Sequence, residues 1–260
     1  MTALFFIAAF LLLALSLRYN WWRIPVAYHV PRVLMYHMIK EHGTDRKRNK
    51  WRVKPNDFEK QMSWLAKNGW RSFTISELVR MNKFPNKSVC ITFDDGFEDN
   101  LNNALPVLKQ YGFKATVYLV PDSKENNWEA FDSRDFDKLL SRDQIKEMQN
   151  SGLIEFGSHT VSHCNLTKVS QADAKSEIKW SKKEVEELTG LPCYAFAYPY
   201  GRFDEMHVEL VKQAGYTSAT TVKRGFYQNT SSYKINRLGI LGTESFFDFY
   251  LKFTRGRNKL

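Results

Sequence analysis

The sequence predicts an α/β fold on a mainly parallel sheet, of a length that suits a barrel better than an open sheet. Three observations carry this reading. Short apolar, β-branched runs alternate almost throughout with amphipathic stretches of helical period, joined by short turns. The 260 residues suit one large domain or two small ones, and are ample for a sizeable buried core. Residues able to do chemistry fall at the carboxyl ends of the apolar runs, where parallel α/β folds gather their active groups.

Taken in order, Val33 to Tyr36 reads as a buried strand ending at His37. Pro55-Asn-Asp57 opens a helix with Phe58, Met62 and Leu65 on one face, ended by Gly69. Ser88 to Phe93 is the next strand and runs into Asp94-Asp95-Gly96; a helix around Leu105 to Tyr111 ends at Gly112, and Ala115 to Val120 is a strand. A polar insertion, Asp122 to Lys138, carries Asn127, Trp128 and Phe131. Ser141 caps a helix ending at Gly152, and Ile154 to Phe156 leads into Gly157-Ser-His-Thr-Val-Ser-His163. A long helix from Ser170 to Gly190, a strand Tyr194 to Ala197, a helix Asp204 to Gln213 and a strand Thr217 to Val222 complete the alternation.

Hydrophobic residues at 43% and aromatics at 15% exclude disorder, and no Gly period, heptad or repeat is present. Three cysteines, Cys90, Cys164 and Cys193, are too few for a disulfide scaffold and fit a reducing compartment. Cys90 and Cys193 sit in apolar runs as core thiols. The net charge of +10 favours an anionic partner such as a membrane face or a lipid-linked phosphate. No basic stripe alternates with base-stacking aromatics, so nucleic acid is not an expected partner.

Residues 1–22 form an expected membrane anchor. Met1 to Leu17 carries no charge, and as a helix spans about 25 Å, at the low edge of a bilayer core. Arg18 to Trp22 extends it, with Tyr19, Trp21 and Trp22 as an interfacial belt and Arg18 snorkelling. A cleaved signal peptide should begin with basic residues, and none precedes Arg18, so one uncleaved transmembrane helix is the reading. The positive residues Arg18, Arg23, Arg32 and Lys40 all follow it, which favours a cytoplasmic over a periplasmic domain. Residues 23–32 are a connector, 33–245 the folded domain, and 246–260 an aromatic and basic tail. In that tail Phe246, Phe249, Tyr250 and Phe253 keep helical spacing, and Lys252, Arg255, Arg257 and Lys259 accompany them. A helix packed on the barrel is the plainer reading of this tail, and a basic foot on the membrane the alternative. Trp64, Trp70 and Trp180 fall in helical contexts as packing residues.

Two adjacent carboxylates, Asp94 and Asp95, repel unless a cation or hydrogen-bond donors compensate. Asp-Gly is also common turn chemistry, so this pair alone is ambiguous. His159 and His163, four apart, can converge on one metal; no Glu follows the first, so this is not the His-Glu-x-x-His protease pattern. Two imidazoles and one carboxylate with open positions describe a hydrolytic divalent-metal site, in which the second Asp can act as general base.

Thr92-Phe-Asp-Asp-Gly96, His159-Thr-Val-Ser-His163 and Ala197-Tyr-Pro-Tyr-Gly201, in this order, strongly resemble the polysaccharide deacetylases of carbohydrate esterase family 4, the NodB-homology domain. The resemblance covers roughly Pro31 to Ile240. It implies the irregular (β/α) barrel of the NodB type and metal-dependent removal of N-acetyl from a hexosamine in a bacterial surface polysaccharide or its lipid-linked precursor. Asp94 would be the base, and Asp95, His159 and His163 would hold the metal. Zn²⁺ suits that donor set best and other transition metals also fit. The backbone N–H of Tyr200 would face the tetrahedral oxyanion. Many members have Arg where this chain has Ala197; Arg237, in Ile235-Asn-Arg-Leu-Gly239, is the substitute cation, and Trp128, Tyr198 and Arg237 are the candidate substrate-side residues. No His follows His207, where most members keep a late catalytic acid. Met35-Tyr36-His37 instead resembles the circularly permuted branch that includes poly-N-acetylglucosamine de-N-acetylases, and makes His37 the acid. Of the other histidines, His29, His42 and His207 occupy a connector, a loop and a helix; only His37 ends a buried strand. Polysaccharide O-deacetylation and a catalytically silent glycan binder are the alternatives. Glycan, membrane and other glycan-assembly proteins are the expected partners, with a single-pass position in the bacterial inner membrane.

Overall fold

A computed structural model of the protein describes residues 2–19, 21–126, 128, 137–228 and 230–257, without the side chains of Ala3 and Arg18. Asn127, Phe131, Lys259 and the expected snorkelling of Arg18 therefore lie outside the described residues. Helix α1 (Thr2–Arg18) leads through a connector to β1 (Arg32–Tyr36), beyond which β2 (Met38–Ile39) pairs with β3 (Arg52–Val53). The chain continues through α2 (Pro55–Lys67), β4 (Arg71–Ser72), α3 (Ile75–Arg80), β5 (Ser88–Phe93), α4 (Leu105–Tyr111) and β6 (Ala115–Leu119). After the insertion come α5 (Arg142–Asn150), β7 (Ile154–Ser158), α6 (Gln171–Thr189), β8 (Ala195–Ala197) and α7 (Glu205–Gln213). Strands β9 (Ser218–Arg224) and β10 (Ile235–Gly239) precede the last helix, α8 (Phe246–Arg255).

Strands β1, β5, β6, β7, β8, β9 and β10 are neighbours in that order, all parallel, and β10 closes back on β1. The expected barrel is therefore present, with seven strands. It is irregular at two seams. One register pair, Ser158 with Phe196, joins β7 to β8, and the β9–β10 register slips between Ile235 and Arg237.

Strand alternation divides the barrel into two apolar layers. Outward residues such as Leu34, Val89, Ile91, Val117 and Phe196 form the main core beneath the helices. Inward residues Val33, Cys90, Tyr118, Ala195 and Ile235 form a second core, stoppered by Ile75 and Leu78 of α3. At the inward position Gly157, an added Cβ would come within 2.6 Å of the Tyr118 ring and 2.7 Å of the Ala195 carbonyl, so only glycine leaves room for that ring. Glu155, also on β7, accepts from Thr116 Oγ1 at 2.7 Å and from the Ser76 N–H at 3.2 Å, tying α3 to the barrel floor.

Besides the two-residue strands β2, β3 and β4, two elements are not legible in the sequence. Strand β10 carries Asn236, Arg237 and Gly239, which mask its strand character; its central side chain is a buried cation rather than an apolar one. Helix α3 spans only Ile75–Arg80, too short for periodicity to mark it, although Thr74 and Glu77 form a full capping box.

The amino terminus differs from expectation. Helix α1 stops at Arg18 instead of running on through Trp22, and seventeen residues rise about 25 Å. Among the described residues, no helix is long and apolar enough to cross a membrane, so the expected transmembrane helix finds no support there. Its large apolar side chains from Leu4 to Leu17 are exposed. Past it the chain doubles back along α8: Tyr19 meets the Phe247 ring edge-on at 5.3 Å, and the Val26 N–H donates to Thr254 O. Helix α8 itself packs as the plainer reading has it. Phe249 and Phe253 are buried against Trp64, and Phe253 also lies edge-on to Trp70 at 4.5 Å. Trp180 is a correction: it stands on the outer face of α6, 48% exposed, and does not pack in the core.

Candidate active site

The functional residues gather at the carboxyl rim of the barrel. Asp94 and Asp95 leave β5, His159 and His163 follow β7, Tyr200 follows β8, and His37 leaves β1. Parallel register brings these ends together: the Asp94 N–H donates to Tyr36 O at 3.0 Å, and the His159 N–H to Leu119 O at 2.8 Å.

Asp94 is buried and held by Arg237 in a two-pronged ion pair, Nη1 to Oδ1 at 2.6 Å and Nη2 to Oδ2 at 2.7 Å. The guanidinium is itself fixed, donating from Nη1 to Thr92 Oγ1 at 3.0 Å and from Nε to the Thr221 carbonyl at 2.9 Å. Burial alone would raise the Asp94 carboxyl, but Arg237, with lesser help from His159 and His37, holds it well below the ordinary carboxylate range. The carboxylate is thus ionised at neutral pH with both oxygens oriented, as a proton acceptor requires. Arg237 arrives from β10 on the opposite side of the ring closure, which is why a motif-by-motif reading could place it only by the absence of Arg at Ala197.

Asp95 faces the two histidines, with His163 Nε2 3.3 Å and His159 Nε2 3.7 Å from its Oδ1. Donor atoms of these three buried residues all lie within 4.8 Å of one another. His159 Nδ1–H donates to the Ala197 carbonyl at 2.8 Å, which fixes the ring and turns the Nε2 lone pair toward Asp95. Burial lowers the pKa of both imidazoles, and for His163 the neighbouring His159 adds to the fall. Two neutral imidazoles and one carboxylate, their donor atoms converging on one point, fit a divalent cation.

The rim is strained at these positions. Asp95, Thr160, His163 and Tyr200 have φ of +74°, +65°, +57° and +56°, and among the described residues only Lys87 joins them as a non-glycine with positive φ. Such conformations cost on the order of 1–3 kcal/mol each and persist where the surroundings over-determine them. One restraint is Glu177 of α6. Its Oε2 accepts from the Val161 and Ser162 N–H groups at 2.9 and 3.0 Å, and its Oε1 from the Ser162 hydroxyl at 2.8 Å, clamping the loop between the histidines.

Aromatic rings line the same rim. Trp128 stacks on His163 at 4.5 Å, and Tyr200, 45% exposed, meets His163 edge-on at 4.6 Å. Trp51 lies over His37 at 4.4 Å. Sequence reading missed Trp51 and Glu177; the signal for Trp51 was a large aromatic in a polar loop, between Lys50 and Arg52. Beside Asp95, a cavity of about 560 Å³ opens between the end of β6 and α5.

Two expected assignments change. Tyr198 is fully buried, stacked on Phe203 at 4.1 Å with its hydroxyl donating to Tyr233 O, because its side chain points outward beneath the helices. It is a core residue and does not face substrate. Arg237 is likewise fully buried and serves Asp94 rather than a substrate. His37 stands at the rim as expected, but burial, opposed by Asp94 and aided by Arg237, pulls its pKa down to about 4. At neutral pH the imidazole is uncharged, and acting as an acid requires it to gain a proton during the cycle. The other histidines lie elsewhere: His207 is buried between Asp204 and the Leu166 carbonyl, and His42 contacts Gly242 O.

A family model described as polysaccharide deacetylase matches residues 81–219. Bacillus subtilis YxkH, assigned by name to the polysaccharide deacetylases, is 34% identical over 197 residues; the match spans 74% of this chain but only 64% of that protein. The Staphylococcus aureus poly-beta-1,6-N-acetyl-D-glucosamine N-deacetylase is 29% identical over 213 residues, 77% of this chain and 71% of its own. Among solved structures, the Streptococcus pyogenes deacetylase PplD in complex with acetate superposes with a TM-score of 0.73 at 29% identity, covering 85% of this chain and 95% of that one. With the rim geometry above, these likenesses place the chain in the polysaccharide deacetylase family, to which it belongs.

Proposed function

We propose that the protein removes N-acetyl groups from N-acetylhexosamine residues of a bacterial glycan, using a divalent cation held by Asp95, His159 and His163. The observation that carries this reading is the pairing of two adjacent carboxylates with opposite duties. Asp94 is locked ionised by Arg237, while Asp95 turns toward two neutral imidazoles. The similarity to a poly-N-acetylglucosamine N-deacetylase supports the substrate class.

The cation would supply Lewis-acid polarisation of the acetyl carbonyl. Asp94 takes a proton from the attacking water at a carboxylate oxygen, and Arg237 keeps that oxygen in place. As the C–N bond breaks, His37, protonated in the substrate complex, gives that proton to the departing nitrogen, releasing acetate and a free amine, and the proton that Asp94 took from water recharges it. The Tyr200 backbone N–H faces the developing oxyanion. Trp128 and Trp51 offer apolar faces to the sugar ring. We also propose that α1, apolar all round, with Tyr19, Trp21 and Trp22 at its exit, holds the domain at a membrane; the positive residues after it favour the cytoplasmic side.

Acetate release from N-acetylglucosamine oligomers tests the reading. Activity should vanish on chelation and return with Zn²⁺, and Asp95→Ala, His159→Ala and His163→Ala should each lose the metal. Full activity after chelation, or acetate release from O-acetylated polymers alone, would overturn it. A reporter fused after Leu260 that is active only in the periplasm would reverse the side assignment.

A further inference from the structure

The mouth of the site rests on a small hydrophobic cluster of its own. Met38, Phe97, Val120 and Leu139 are buried together, and Trp51 and Trp128 pack against them. The two indoles come from different segments, Trp51 from the loop between β2 and β3 and Trp128 from the insertion after β6. One buried carboxylate joins these segments. Asp137, at the base of the insertion, binds Lys40 Nζ at 2.7 Å, Arg52 Nη2 at 3.0 Å and Arg48 Nη2 at 3.4 Å. Lys40 and Arg48 belong to the loop that carries Trp51, and Arg52, the first residue of β3, is its neighbour in sequence.

Asp137 is equally tied on its own side. Its N–H donates to Asn126 Oδ1 at 2.9 Å, and the Asn126 N–H donates to its carbonyl at 3.2 Å. That pair closes the base of the insertion two residues before Trp128. The side chains of Arg48 and Arg52 are 3% and 6% exposed. Without the carboxylate, the buried Arg52 and Arg48 guanidinium groups would lose the counter-charge they share, which would loosen the loop from the insertion.

We propose that Asp137 is a positioning residue that sets the gap between Trp51 and Trp128, and through it the fit of a hexosamine ring within a glycan chain. The inference rests on the deacetylase reading above. Asp137 bonds to Lys40, Arg48, Arg52 and Asn126 and to neither Asp94 nor His37, so its loss should weaken glycan binding more than the chemistry.

The test compares the zinc-loaded wild type with Asp137→Asn on N-acetylglucosamine pentamer and on 4-nitrophenyl acetate, an ester too small to span both indoles. The variant should show a roughly 10- to 100-fold higher KM for the pentamer with kcat nearly unchanged, and an unaltered kcat/KM for the ester. Acrylamide should quench its tryptophan fluorescence more strongly than that of the wild type. A parallel loss on both substrates, or an unchanged pentamer KM, would overturn the proposal. Should Asp137→Asn fail to fold, Lys40→Met removes the half-exposed partner alone and should raise the pentamer KM about two- to fivefold, ester hydrolysis again unmoved; no rise in KM overturns the proposal just as well. A wild type that cleaves the ester and no glycan would defeat the deacetylase reading, while the quenching comparison would still judge the role of Asp137 in placing the indoles.

Discussion

The two ends of the barrel interior are built from opposite materials. The floor is apolar and relaxed: Val33, Cys90, Ala195 and Ile235 close on Ile75 and Leu78, and the polar Glu155 there is hydrogen-bonded to α3. The rim, a few residues further along the same strands, buries Asp94, Asp95, His159, His163 and Arg237, and holds four non-glycine residues at positive φ. The floor stabilises by removing apolar surface from water, at about 25 cal/mol per Å². The rim spends stability on desolvated charge and strained backbone, and survives because the floor and the outer helix layer fix the strands beneath it.

Substitutions that separate chemistry from stability should break this comparison if it is wrong. The largest activity effect is expected for His37→Ala, a half-buried rim residue: kcat should fall about 10²- to 10⁴-fold, while metal content and thermal midpoint stay near wild type. Near-normal kcat in His37→Ala, together with a dead His207→Ala or His42→Ala, would show that another histidine is the acid. Arg237→Met should injure both properties, since it strands the buried Asp94 charge. A loss of about 3–5 kcal/mol in denaturant unfolding is expected, with a loss of activity that Arg237→Lys restores only in part. A fully stable, fully active Arg237→Met would remove Arg237 from its role.

Leu78→Ala at the floor should cost about 2–5 kcal/mol in unfolding free energy, while the folded protein keeps its kcat and its metal affinity. A kcat that falls with stability would mean that the floor is not independent of the rim. The smallest effect concerns Asp99, which accepts the Ile39 N–H at 2.8 Å and whose pKa burial raises from 3.8 to about 7, with Asp137 adding to the rise. A carboxyl with a raised folded pKa binds more protons folded than unfolded, so its contribution to stability falls as pH climbs from about 4 to about 7. Asp99→Asn should therefore match wild type near pH 4 and exceed it at pH 8 by on the order of 1–3 kcal/mol in thermal unfolding. A pH-independent difference would show that Asp99 ionises normally.

Much of the rim was readable because catalytic groups of this kind lie in contiguous motifs directly after strands. Asp94-Asp95 and His159 to His163 each announce themselves within a few residues, and strand ends place them. Residues whose role depends on a distant partner were read less well. Arg237 was singled out only because Ala197 stands where an arginine was expected, and it was also set among the substrate-side residues. Tyr198 and Tyr200 sit two apart in one motif, yet the first turns into the core and the second to the rim, since β8 has ended and the chain turns through Pro199–Gly201 with Tyr200 at a φ of +56°. The amino terminus shows the same limit: its apolarity was plain, but the end of α1 at Arg18 and the return of the chain along α8 were not.

Local sequence is enough to read the parallel α/β class, the base and metal-site candidates, and the histidine at the end of the first strand. Each follows from periodicity or from motifs local to a few residues. Tertiary structure alone decided that β10 closes the ring, so that Arg237 meets Asp94 across 143 positions of sequence. It also decided that α3 stoppers the floor, that Glu177 clamps the loop between the histidines, and that Asp137 joins Trp51 to Trp128. These are contacts between segments far apart in the chain, fixed by which face of a strand or loop is left to be buried once the barrel has closed, and no local pattern encodes that choice.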